Sequence, residues 1–177
     1  MPLQTVQYIP ASRKDVIRQQ QVTMIRAVAH ERKPWDNSRS TNHWCLYLQT
    51  SPTSSVRVDM TPSYSYPSTR LPGGSKGNLI VSELPYVVTN HAKKIVQIRP
   101  MQGLRVHHIV DALIQAGRDK YEFDRDGVGC RMWTSNTLSL LQSNGYGNSG
   151  QIQEAQAAIL KVWPDGTSLE LDRGAYY

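Results

Sequence analysis

Cys130 is the residue whose surroundings most suggest chemistry. It follows the turn-forming run DRDGVG and opens a segment with helical periodicity. The first N–H groups of a helix lack intrahelical partners and carry partial positive charge, which favours a thiolate beside them. A thiolate can attack a carbonyl carbon, and the same N–H groups can stabilise the resulting oxyanion. Gly127 and Gly129 would let a substrate carbonyl approach the backbone closely. The plain alternative is a buried structural thiol, since free cysteine is among the most buried residue types.

His43 is the base this pattern requires. It begins the run HWCLYL just after polar turn residues, and imidazole accepts a proton near neutral pH. Asp59 lies in the next alternating run, where it would orient the imidazole as a third member. Each also has an ordinary reading: a strand-end histidine, and a solvated carboxylate or partner of Arg57. The order says more than any single residue. A histidine on one strand and an acid on the next precede a much later cysteine at a helix start.

These groups need elements to hold them. VTMIRAVAH (22–30) reads as a strand and KPWDNSRSTN as a turn-rich connection. In 43–48, His43, Cys45 and Tyr47 share one face and Trp44, Leu46 and Leu48 the other. Val56, Val58 and Met60 alternate with Arg57 and Asp59, so the two runs form a hairpin. Residues 61–77 are rich in Pro, Gly, Ser and Tyr and read as a long binding loop, with Tyr64, Tyr66 and Arg70 as substrate-loop candidates. NLIVSEL and KIVQIR are two further strands and KYEF a short one. Helices are expected over 103–117, 130–143 and 151–163. Residues 1–20 read as a basic arm. The sum is one α+β domain over 1–177, mainly strands in 22–99 and mainly helices in 103–163. It amounts to an antiparallel sheet of about five strands with about three helices.

Several runs resemble the lecithin–retinol acyltransferase-like proteins, circularly permuted relatives of papain in which His precedes Cys. HWCLYL resembles their His-Trp-x-x-Tyr strand, and VRVDMTP resembles the second strand, with Asp59 where the family usually has His. YEFDRDGVGCRMW, with Tyr121, Cys130 and Trp133, resembles the nucleophile segment, although Gly-Val-Gly-Cys stands where the family has Asn-Asn-Cys. The resemblance spans roughly residues 43–145. It implies a permuted papain-like fold and a cysteine-dependent acyl-transfer reaction. Cys130 would form a thioester, His43 would act as general base and Asp59 would hold the imidazole. Tyr121, Gly129 and Trp133 would lie beside a small-molecule or activated acyl substrate. The C-terminal anchor of many members has no counterpart here, which turns the expectation away from a membrane-held lipid.

Composition narrows the remainder. The 177 residues carry a net charge of +6, and residues 1–42 hold seven basic and three acidic side chains. That flank would suit an anionic donor, so an aminoacyl-tRNA-dependent amide- or cyclodipeptide-forming transferase is one alternative. A ubiquitin-like-type isopeptidase is another, and a catalytically inactive binding module on the same fold is a third. No apolar run approaches the ~20 residues of a membrane span, so no stable membrane insertion is expected. Two cysteines cannot make a four-Cys zinc site or a disulfide-rich framework, and a reducing cytoplasm is the default location. GYGNSG follows a helix rather than a strand and is not read as dinucleotide-binding. His107, His108 and Asp111 read as a helix surface rather than a metal site, and no cofactor is expected. Cys45 reads as a core residue. Its disulfide with Cys130 would require Cα atoms within about 7 Å.

Overall fold

The computed structural model describes residues 2–177. The strands are β1 (Val6–Ile9), β2 (Met24–Trp35), β3 (Arg39–Ser51), β4 (Ser54–Pro67), β5 (Ser75–Leu84), β6 (Lys94–Ile98), β7 (Tyr121–Phe123), β8 (Lys161–Val162), β9 (Thr167–Ser168) and β10 (Ala175–Tyr176). The helices are α1 (Lys14–Gln19), α2 (Val106–Gln115), α3 (Cys130–Ser143) and α4 (Ser149–Ile159). One sheet runs β10-β7-β5-β4-β3-β2-β6, antiparallel along this path, and β1 adds to β5 in parallel. β8 and β9 form a separate small ribbon. The architecture is α+β with a mainly antiparallel sheet.

Period-two alternation gives the sheet two unlike faces. Trp44, Leu46 and Leu48 of β3 join Val56, Val58 and Met60 of β4 on the inner face. There they pack with Ile109, Val110 and Leu113 of α2, Leu138 and Leu141 of α3, and Ile152 and Ile159 of α4. The outer face carries His43, Cys45, Tyr47, Arg57 and Asp59. Its apolar part is a small cluster of Val28, Cys45 and Tyr47, covered by Leu84, Val88 and Ala92.

Four sequence expectations are corrected. Residues 1–20 are not a free arm: β1 pairs with β5 and α1 buries Ile17. The 61–77 loop is mostly strand, because β4 runs on to Pro67 and pairs with the start of β5. Ser63 and Ser75 hydroxyls accept the Tyr66 and Tyr64 N–H groups, which satisfies backbone in a run whose composition suggests a loop. The connection after residue 32 shrinks to a tight turn at 36–38, since β2 and β3 are paired up to Trp35↔Arg39. Among the described residues the sheet has eight strands and there are four α-helices, more than the five and three expected. The extra elements are short pieces with too little periodicity to announce themselves.

Two irregularities make room for a site. The β2–β3 register jumps from Ala29↔Trp44 to Arg32↔Asn42, so His30 and Glu31 bulge opposite His43. The β3–β4 ladder stops at Leu46↔Val58. Beyond it β3 follows β2, while β4 follows β5 as far as Pro62↔Gly77 and beyond. The first turn of α3 enters this fork. Thr134 Oγ1 donates to the Trp44 carbonyl at 3.1 Å, and Lys33 Nζ donates to Gly127 O at 3.3 Å.

Candidate active site

The fork brings the three expected groups together. His43 Nε2 lies 2.6 Å from Asp59 Oδ1, bridging the two strands where their backbone pairing has ended. Cys130 is the first residue of α3, and it is the next group after Asp59 to lift the His43 imidazole. With Nε2 engaged by Asp59, Nδ1 is the ring nitrogen that remains for the thiol. The Cys130 Sγ lies 3.8 Å from the Asn42 carbonyl oxygen. Burial works against charge on His43, but Asp59 and then Cys130 outweigh it and hold the imidazole well above its usual range. Burial also opposes charge on Asp59, and His43 more than compensates, leaving the carboxyl below its ordinary value.

The turn before α3 is braced on every side. Asp124 Oδ1 accepts the N–H groups of Asp126 and Val128. Gly129 sits at φ 154°, and a Cβ there would come 3.2 Å from Phe123. The Tyr121 hydroxyl donates to Gly129 O at 2.7 Å and accepts from Gly174 N at 3.1 Å. Arg131 is fully buried. It pairs with Asp172 at 3.1 Å and donates to the carbonyls of Ile159, Leu169 and Glu170. The Arg131 and Trp133 N–H groups are taken by Asp172 and Gly129 O, whereas Cys130 N–H is one of the helix-start donors without an intrahelical acceptor. Cys130 is 1% exposed and the His43 side chain 23%, so the imidazole is the more exposed member of the pair.

The expected substrate contacts divide. The Tyr64 ring lies against Gly127, from which a Cβ would come within 2.5 Å of its hydroxyl, and Tyr64 is 74% exposed. Tyr66 is half-buried on the same arm. Arg70 is exposed, and its backbone N–H donates to Glu122 in a turn away from the fork. Tyr121 and Gly129 shape the helix start from beneath. Trp133 is fully buried in the core and donates from Nε1 to Arg118 O, so its part is structural and not that of a substrate contact.

Sequence reasoning missed four residues. His30 reaches Cys45 Sγ at 3.3 Å and lies edge-on to the His43 ring with centroids 5.8 Å apart. Asn42 ties the bulge to the chain end, donating to His30 O and Trp163 O while accepting from Trp163 N. Arg57 stands beside Asp59, and Arg131 locks the chain end behind Cys130. For Arg57 the signal was present, since it shares period-two parity with Asp59. His30 and Asn42 depend on the bulge, which leaves no mark on periodicity. Both cysteines are free thiols.

The family model for a domain of unknown function, DUF7770, matches residues 25–177, which includes His43, Asp59 and Cys130. The chain belongs to the DUF7770 family. No curated protein and no solved structure matches it. The DUF7770 match begins inside β2, so β1 and α1 precede the matched region.

Proposed function

We propose that this DUF7770 chain is a cysteine-dependent acyl-transfer enzyme built on a permuted papain-like arrangement, with Cys130 as nucleophile, His43 as general base and Asp59 as the group that orients the imidazole. The observation that carries the reading is the 2.6 Å His43–Asp59 contact on a ring whose charge is also favoured by a cysteine at a helix start. In the reaction, His43 holds the proton taken from Sγ, and the thiolate sulfur bonds to the acyl carbon. The tetrahedral oxyanion is met by the Cys130 N–H. Collapse breaks the bond to the leaving group, which takes the proton from His43. Water or an amine then attacks the thioester, with His43 accepting its proton, and Cys130 is released as the thiolate beside the protonated ring.

The chain order His, Asp, Cys and the packing of α3 on the sheet favour the permuted arrangement. The basic flank adds little to the tRNA-dependent alternative. Arg13, Arg18, Arg32 and Arg39 each face a carboxylate, of Glu83, Asp111, Asp165 and Asp36. Among the described residues no helix is long and apolar enough to cross a membrane.

Intact mass spectrometry after exposure to 4-nitrophenyl acetate tests the proposal. The expected result is one acetyl adduct, mapped to Cys130, absent from Cys130→Ala and strongly slowed in His43→Ala. An adduct that persists in Cys130→Ala, or that forms on Cys130 equally fast without His43, overturns it.

A further inference from the structure

Where the β3–β4 ladder ends, β3 keeps its carbonyls and loses its neighbour. Successive carbonyls of a strand point to opposite edges. Gln49 O accepts the Thr23 N–H on the β2 side, so Leu46, Trp44 and Asn42 present theirs to the β4 side. Leu46 still pairs with Val58 of β4, whereas Trp44 and Asn42 lie beyond the last pair. Two side chains of α3 take over there. Thr134 Oγ1 donates to Trp44 O at 3.1 Å. Cys130 Sγ lies 3.8 Å from Asn42 O, to which Thr41 Oγ1 also donates at 3.4 Å. The two spacings match: four residues on a helix rise about 6 Å, and two residues on a strand rise about 7 Å.

The two contacts are unequal. Cys130 Sγ donates to Asn42 O only while it carries its proton. Once that proton is on His43, or sulfur is acylated, Sγ has nothing to donate. Thr134 is fully buried, its hydroxyl keeps its proton throughout, and its acceptor is the backbone of the residue after His43. A threonine within a helix can instead turn its hydroxyl to a carbonyl one turn back. Thr137 of the same helix supplies the contrast, since its Oγ1 is buried with no hydrogen-bond partner among the described residues. Burial in α3 does not by itself tie a threonine to the sheet.

We infer that Thr134 is a positioning residue for the nucleophile, holding the first turn of α3 on the β3 carbonyls so that Cys130 stays beside His43 while its sulfur is acylated and released. The inference rests on the acyl-transfer reading and adds to it a residue that touches no reacting atom. Its leverage is geometric. Displacing a reacting group by about 1 Å can cost a hundredfold in rate.

Thr134→Val in the full chain tests this, because valine nearly keeps the shape and removes the donor. Rates are taken per folded protein, with the folded fraction read from urea unfolding. Alkylation of Cys130 by iodoacetamide and its acetylation by 4-nitrophenyl acetate should each slow about tenfold. The His43 midpoint in an NMR titration should fall, because Cys130 is one of the groups that lift it. Thr134→Ser keeps the hydroxyl and should restore both rates and the midpoint. Thr137→Val removes an unbonded hydroxyl and should leave all three unchanged. If Thr134→Val does not fold, Thr134→Ala is expected to act in the same direction. Wild-type rates and midpoint in the folded valine or alanine variant overturn the inference. A serine variant no better than valine, or a Thr137→Val protein slowed as much, also overturns it. Acetylation of wild-type Cys130 leaves acyl transfer standing in each of those cases. A wild type that is alkylated but never acetylated, with a His43 midpoint that follows the Thr134 hydroxyl, upholds the positioning role and overturns the acyl-transfer reading.

Discussion

Two Cys–His pairs lie side by side in this molecule, and they are built differently. Cys130 with His43 sits at a helix start, with a carboxylate 2.6 Å behind the imidazole. Cys45 with His30 sits on the sheet at 3.3 Å, with no carboxylate on the ring and no helix start at the sulfur. Burial, and then Asp59, push the Cys45 thiol well above its ordinary range. Burial, and then His43, push His30 down to about 4. The same two residue types therefore give an imidazole that keeps its proton in one pair and an imidazole that sheds it in the other. Proximity of Cys to His does not make a nucleophile. The carboxylate and the backbone donors around the pair do.

The largest effect expected from that contrast is in alkylation. Iodoacetamide at neutral pH should label Cys130 in the wild type and in Cys45→Ala at similar rates, and should leave Cys130→Ala unlabelled. Labelling of Cys45 as fast as Cys130 would erase the distinction. Next in size is Asp59→Asn, which keeps the shape but removes the charge that holds the His43 proton. Acylation of Cys130 should fall by about a hundredfold or more. NMR titration should show the His43 midpoint moving down, because Asp59 is the main group lifting it.

How much of the contrast the sequence carries can be traced residue by residue. Cys130 was legible because turn residues stop at Gly129 and helical periodicity starts at once. His43 and Asp59 were legible because alternation places them on one face of adjacent strands. The fork that lets α3 reach them was not, since the end of a ladder between two paired strands is a tertiary fact. The bulge at His30 and Glu31 was hidden for the same reason. Residues 63–67 misled because Ser and Pro suit loops, yet the arm pairs with β5 and tolerates Tyr64 at φ 56°. Trp133 misled in the opposite sense, since an aromatic near a nucleophile can serve the core as readily as a ligand.

The next effect is on stability and belongs to His30. Unfolded, His30 takes its proton near pH 6.5, and folded, near pH 4. Between those values the unfolded chain binds more protons, so stability falls as the pH drops, by about 3 kcal/mol in all. The His43–Asp59 pair does not confuse this window. The raised His43 value gives stability that is full below 6.5 and is lost as pH climbs through the folded value. The depressed Asp59 value gives stability that is full above 3.8 and is lost as pH falls through the folded value. Both contributions are flat between 3.8 and 6.5, whereas His107, Glu83, Glu122 and Asp172 also shift within or at the edge of that range, so the part of the urea-unfolding slope that His30→Asn removes is the part that reads His30. His30→Asn should flatten the slope, and an unchanged slope would show that His30 is not the buried neutral histidine described above.

The smallest effect separates the braces of the two cysteines. Tyr121→Phe removes one hydroxyl that donates to Gly129 O and accepts from Gly174 N, behind Cys130 and remote from the Cys45–His30 pair. Gly129 O keeps the Trp133 N–H but loses its second donor, and the half-buried Gly174 N–H loses its acceptor, which should cost about 1 kcal/mol of stability. Because Gly129 immediately precedes Cys130, alkylation of Cys130 should also slow several-fold, beyond what the stability loss explains for a protein that remains folded. Tyr121 thus acts as a positioning residue, and the ratio of alkylation rate to folded fraction is the readout that a purely structural role would leave constant. If that ratio holds at its wild-type value, the helix start is rigid without Tyr121, and the braces on Cys130 reduce to Arg131, Asp172 and the Asp124 turn.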